Sequence, residues 1–107
     1  MTVLRVCYKH GVRFDEGYYV SKHLPLVGSV MGPYGAKNVE MVKMTTTADM
    51  SKPLYQVMFS AYFESAAGLQ NAMQSPRIGE VMGDIQSFYD GMPDVLTGEV
   101  VALPTRG

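Results

Sequence analysis

The ten residues Leu54-Tyr-Gln-Val-Met-Phe-Ser-Ala-Tyr-Phe63 are apolar or aromatic at nearly every position. Taken as a strand, one alternation carries Tyr55, Val57, Phe59, Ala61 and Phe63, and the other Leu54, Gln56, Met58, Ser60 and Tyr62. A strand with one face in water places polar residues on that face, and this one does not. The sheet that contains it must be covered on both sides. Residues 2–8 repeat the pattern, with Leu4, Val6 and Tyr8 opposed to Val3, Arg5 and Cys7. A last strand over Val95–Leu103 opposes Val95, Val101 and Leu103 to Leu96, Val100 and Ala102.

Between these strands the apolar period changes to that of a helix. Asp15 is placed to cap a segment running to Met31, in which Tyr19, His23, Leu26, Val27 and Val30 form one stripe. Pro25 interrupts it, because its ring collides with the carbonyl four residues back, which predicts a kink near His23 or two short helices. Gly32-Pro-Tyr-Gly35 ends the segment, residues 37–46 form a second strand, and residues 48–53 are a polar loop. Glu64 or Ser65 opens a helix through Leu69, Ala72 and Met73. Ser75-Pro76 restarts it with Pro at the first helical position, and Ile78, Met82, Ile85 and Tyr89 continue at helical spacing before the turn at Asp90-Gly-Met-Pro93.

The order βαββαβ is that of a ferredoxin-like α+β sandwich, with four antiparallel strands and helices on one face, in a single domain over residues 1–107. Two helical layers cover one face only, so the other is expected to meet a second copy in a sheet-to-sheet homodimer. Arg5, Gln56, Ser60 and Glu99 are either the few polar groups of a cavity so enclosed or residues pointing to the sheet rim.

Nine Lys and Arg against ten Asp and Glu, with no run of like charge, provide no basic stripe for nucleic acid or an anionic membrane. No apolar run is long enough to span a bilayer, the N-terminus does not have the make-up of a signal peptide, and the single Cys7 fits a reducing compartment, so a cytoplasmic location is expected. Cys7 reads as an inert core thiol and His10, beside Gly11, as solvated. Two His without paired-ligand spacing argue against a structural zinc site, and no phosphate-binding glycine pattern is present.

Tyr18-Tyr-Val-Ser-Lys-His-Leu-Pro-Leu26 resembles the Tyr-Tyr-x-x-x-His-x-Pro-Leu signature of EthD-like proteins, named for a protein encoded with an ether-degrading monooxygenase system. Ala72-Met-Gln-Ser-Pro76 and Ile85-Gln-Ser-Phe-Tyr-Asp90 are similar to the second half of these domains. The resemblance implies the dimeric α+β barrel fold and a pocket more strongly than a reaction, since that superfamily includes cofactor-free monooxygenases, cyclases, isomerases and haem-binding enzymes. It makes His23 the signature histidine, with Tyr19 one turn before it.

The expected function is binding of a small, mainly apolar organic molecule between sheet and helices. His23 would act as general base without a cofactor, and Tyr19 or Tyr62 would donate to a developing oxyanion. Arg5, Tyr55, Gln56, Ser60 and Tyr62 are the expected ligand-binding residues. A haem on His23 is the less favoured cofactor reading. Two alternatives stand beside this one. In the first, His23 is a core residue whose ring satisfies backbone groups at the kink. In the second, the dimer carries a ligand for a larger pathway enzyme without converting it.

Overall fold

In the computed structural model, which describes residues 1–101, β1 (Thr2–Lys9) and β3 (Tyr55–Phe63) are the inner strands of a four-stranded antiparallel sheet. β2 (Lys37–Lys43) and β4 (Asp94–Glu99) are the edges, giving the order β2-β3-β1-β4. The last strand is shorter than expected, and Ala102 and Leu103 lie outside the described residues. Its apolar residues are exposed as well: on an edge strand with one neighbour, Val95 and Leu96 keep much of their surface in water. The second strand likewise ends at Lys43 rather than at residue 46.

All four helices pack on one face of this sheet. α1 (Glu16–Tyr18) is capped by Asp15, whose Oδ1 accepts from Tyr18 N at 3.1 Å. It runs through a π-helical turn, Tyr19–His23, into α2 (Leu24–Met31). α3 (Ala66–Met73) is capped by Ser65, and α4 (Ile78–Asp84) continues into a 3-10 turn, Ile85–Ser87. Pro76 lies ahead of α4 rather than at its first position, and Ser75 Oγ accepts from Arg77 N across it. Tyr89 has left the helix and pairs with Phe14 in an isolated bridge.

The helical face of the sheet presents Leu4, Phe59, Ala61 and Phe63 to Val27 and Val30 of α2, Leu69 and Ala72 of α3 and Val81 of α4. Each such large side chain taken from water stabilises the fold by about 1.5–3 kcal/mol. One end of this core is aromatic, with Tyr8, Tyr19, Phe88 and Tyr89 fully buried. Their rings meet mostly edge to face at centroid distances of 5.0–5.8 Å, which holds Tyr19 rigidly beneath the π turn.

Pro25 acts differently from the expected break. Leu24 N donates to Tyr19 O, five residues back, and the helix stays continuous through a widened turn. Pro25 has no N–H to give, and its ring would press on the Ser21 carbonyl in an α-helix; the π turn relieves that contact. It also cures a drift. Tyr19, His23 and Val27 are spaced by four, which overshoots an α-helical turn by about 40° each time. A turn holding more residues keeps all three pointing inward.

The sheet pairing corrects another expectation. Tyr8 lies opposite Val57 but Lys9 lies opposite Tyr55, so Gln56 is the extra residue of a β-bulge. Tyr55 is thereby turned to the face away from the helices, where its hydroxyl donates to Asp94 Oδ2 at 2.7 Å. Its ring crosses the strand carrying Cys7, which is fully buried on that face. Burial pushes the Cys7 thiol up, in keeping with an inert side chain. The same open face carries Met58 and Tyr62, half-buried, with Val42 at 42% and Leu96 at 52% exposure. His10, expected to be solvated, has a buried Nε2 with no partner among the described residues.

Candidate functional site

The π turn aims His23 into the core between α2 and α4. The residue is 3% exposed, and its Nδ1 lies 2.9 Å from Oδ2 of Asp84, the last residue of α4, whose side chain is 16% exposed. The other carboxylate oxygen, Asp84 Oδ1, accepts from Tyr18 Oη at 2.6 Å. The His23 ring stacks on Tyr19 at 5.3 Å and meets Phe88 at 4.5 Å. One imidazole nitrogen is thus tied to a carboxylate and the ring plane is clamped by two aromatic rings.

Burial lowers the His23 pKa below its ordinary value and outweighs the opposite pull of Asp84. At neutral pH the ring is neutral, with Nδ1–H donating to Asp84 and Nε2 carrying the lone pair. Burial also acts on Asp84, pushing it up, but the bonds from Tyr18 and His23 win and hold the carboxyl below the usual range. Burial pushes the hydroxyls of Tyr8 and Tyr19 both well above the ordinary phenol value. They remain protonated donors.

His23, Tyr19 and Tyr8 line a partly open cavity of about 30 Å3, walled otherwise by apolar side chains from the sheet, α2, α3 and α4. That space suffices for a water or a group of two or three atoms. Met82 and Val95, both exposed, and Met73, half-buried, lie at its outer end.

Of the residues expected from sequence, His23 and Tyr19 share this cavity, and the others do not. Tyr62, Ser60 and Arg5 lie on the opposite face of the sheet: Tyr62 pairs with Val3 and Ser60 with Arg5, beside Met58. Tyr55 is there too because of the bulge. The Gln56 amide donates to the carbonyls of Lys9 and Val12, both at 2.8 Å, and so completes the bulge. Glu99 sits on the helical side of β4, accepting from Thr2 Oγ1 at 3.1 Å. The partner of His23 Nδ1 is the Asp84 carboxylate rather than a backbone group at the kink. Sequence reading missed Asp84, Tyr8 and the bond from Tyr18. Its one signal was an acid three residues after the apolar Val81, at helical spacing from it.

The EthD domain family matches residues 13–92, a stretch that includes the π turn, His23 and Asp84. The chain belongs to the EthD family. An EthD-like protein of Ralstonia eutropha JMP134 superposes with a TM-score of 0.84 at 27% identity, over 97% of this chain and 95% of that one. An ethyl tert-butyl ether degradation (EthD) family protein of Bacillus halodurans C-125 gives 0.77 at 19% identity, over 94% and 99%. A Deinococcus radiodurans protein described as a candidate antibiotic biosynthesis monooxygenase gives 0.60 at 10% identity over the whole of both chains, a likeness of fold alone. Among curated proteins none matches. No helix of the described residues is long and apolar enough to cross a membrane.

Proposed function

We propose that this EthD-family protein binds a small, mainly apolar organic molecule at the cavity between sheet and helices. His23 then moves a proton on it without a cofactor. The observation that carries this reading is a buried, neutral histidine whose Nδ1 is held by Asp84 at 2.9 Å while its ring faces an otherwise apolar cavity. Such an arrangement serves a general base: Nε2 accepts a proton, and the carboxylate stabilises the imidazolium that forms.

On a ligand with a C–H next to a carbonyl, the C–H bond breaks and the Nε2–H bond forms. The electron pair moves to the carbonyl oxygen, which a protonated Tyr19 or Tyr8 is suited to meet. Where a C=C bond adjoins the deprotonated carbon, the anion extends over it, and return of the proton to the far carbon of that bond completes an isomerisation. Nothing is oxidised or reduced, so the reading needs neither metal nor haem.

The same proposal includes a homodimer paired through the open sheet face. Exposed Val42 and Leu96, with Met58 and Tyr62 beside them, support that pairing, since the helices cover only the other face. Native mass spectrometry of the untagged, gently purified protein tests both parts. The expected result is a mass twice 11.8 kDa with excess mass from a bound small molecule that His23→Gln no longer retains. A strict monomer at micromolar concentration overturns the pairing. A ligand retained equally by His23→Gln overturns the role of His23 in binding.

A further inference from the structure

The cavity beneath His23 admits only one end of an organic molecule, yet one of its walls is movable. Met73, the last residue of α3, lines this cavity and also lines an open groove of about 470 Å3 outside it. The groove runs between α3 and the edge strand β4. A methionine has three rotatable side-chain bonds and changes shape at low cost. Met73 is half-buried at the end of its helix, so a rotamer change is less constrained than for the side chains around His23.

We infer that Met73 is a gate between the two spaces, and that with Met73 swung aside they form one binding site for a molecule with a slim apolar end and a neutral, hydrogen-bonding remainder. This rests on the reading of His23 as the site's base and adds to it the route and the class of ligand. The joined space falls in the range of small-molecule sites, roughly 300–1,000 Å3, which the inner cavity alone does not approach. The inner part is apolar apart from the His23, Tyr8 and Tyr19 polar atoms. The outer part keeps apolar walls, from Ala66, Leu69 and Met73, and adds the polar side chains of Gln70, Gln74 and Thr97 that the inner part lacks. Hydroxyls and carboxamides there both donate and accept, and among the described residues the only charged side chain lining it is the Glu99 carboxylate, bonded to Thr2 Oγ1 at 3.1 Å. A ligand tail carrying an amide or hydroxyl is matched, and a carboxylate tail is repelled.

The test uses hexanamide and hexanoate, alike in chain length and different in charge, titrated into the full-length protein and followed by NMR. Hexanamide is expected to shift the groove amides of Thr97 and Gly98 together with the cavity methyls of Val27 and Val81. Hexanoate should bind at least about fivefold more weakly, and Glu99→Gln should abolish most of that difference. Met73→Ala should tighten hexanamide binding by at least about threefold, because the gate no longer has to move. Met73→Leu, which keeps the buried bulk, serves as the second variant should alanine unfold the core, and it should slow exchange at the cavity methyls.

Shifts confined to the groove in both wild type and Met73→Ala overturn the joined site. So does the absence of any response to hexanamide at tens of millimolar, and equal affinity for the two probes overturns the ligand class. Shifts at the cavity methyls without any change at the His23 ring nitrogens uphold the joined site and count instead against His23 as the group that meets the ligand.

Discussion

Asp84 Oδ2 lies 2.9 Å from His23 Nδ1, joining residues 61 apart in sequence, and this bond decides which imidazole nitrogen is available to a ligand. Nδ1–H donates to the carboxylate, so Nε2 is left as the acceptor. Because Tyr18 Oη grips the other carboxylate oxygen, the acid is fixed from two sides of the π turn, by the residue before it and the residue that ends it.

Asp84→Ala removes the acceptor of a buried N–H and the partner of Tyr18 together. An unsatisfied buried polar group costs about 1–3 kcal/mol, and Asp84 lies at the edge of the core, so destabilisation of about 2 kcal/mol is expected by chemical denaturation. The 15N signals of the imidazole should at the same time move from a single neutral tautomer to averaged values. Tyr18→Phe should cost less and keep the tautomer, since His23 retains its own bond.

Acid should destabilise the protein through His23. The folded-state pKa is lowered by burial, whereas the unfolded chain titrates near the ordinary value of about 6.5. Below that value the unfolded state binds more protons than the folded one, so the contribution present above about pH 6.5 is lost as the pH falls towards the folded value. Thermal unfolding should show Tm falling from about pH 7 to about pH 5, with a shallower fall for His23→Gln. Equal slopes for the two proteins would mean that the imidazole does not report its burial in this way.

What was legible in the sequence is what depends on local alternation and local spacing. The two-faced strand Tyr55–Phe63, the element order and the inward stripe through Tyr19 and His23 all follow from patterns within one element. What escaped depends on partners remote in sequence. Gln56 forms a bulge because its amide meets the carbonyls of Lys9 and Val12, and that bulge moves Tyr55 to the other side of the sheet. Asp84 becomes the partner of His23 only when α4 packs beside α2. Val95 read as covered by the helices but is 42% exposed, because sequence does not say which strand is at the edge.

Leu96→Asp and Val42→Asp place a charge on the open sheet face without touching the helical core. Each residue is already about half exposed in a single chain, so the folded subunit should lose no more than about 0.5 kcal/mol. A dimer paired through that face would bury the new charge twice, once in each copy. Light scattering should then give the dimer mass for the wild type and the monomer mass for either variant, with unchanged circular dichroism. A dimer that survives both substitutions pairs through some other surface.

Pro25→Ala tests what holds the π turn open. Alanine restores an N–H able to bond the Ser21 carbonyl and removes the ring that presses on it, so the local preference returns to an α-helical turn. Tightening the turn would rotate His23 relative to Val27, and the buried packing of Val27 and Val30 opposes that rotation from the other end of α2. If the proline sets the geometry, the variant should keep the fold but lose the single neutral His23 tautomer seen by 15N NMR, as Asp84→Ala does. It should do so with a smaller loss of stability, because no buried polar group is deleted. A tautomer signal identical to wild type would assign the π turn to core packing around Tyr19 and Val27 instead, with Pro25 merely tolerated there.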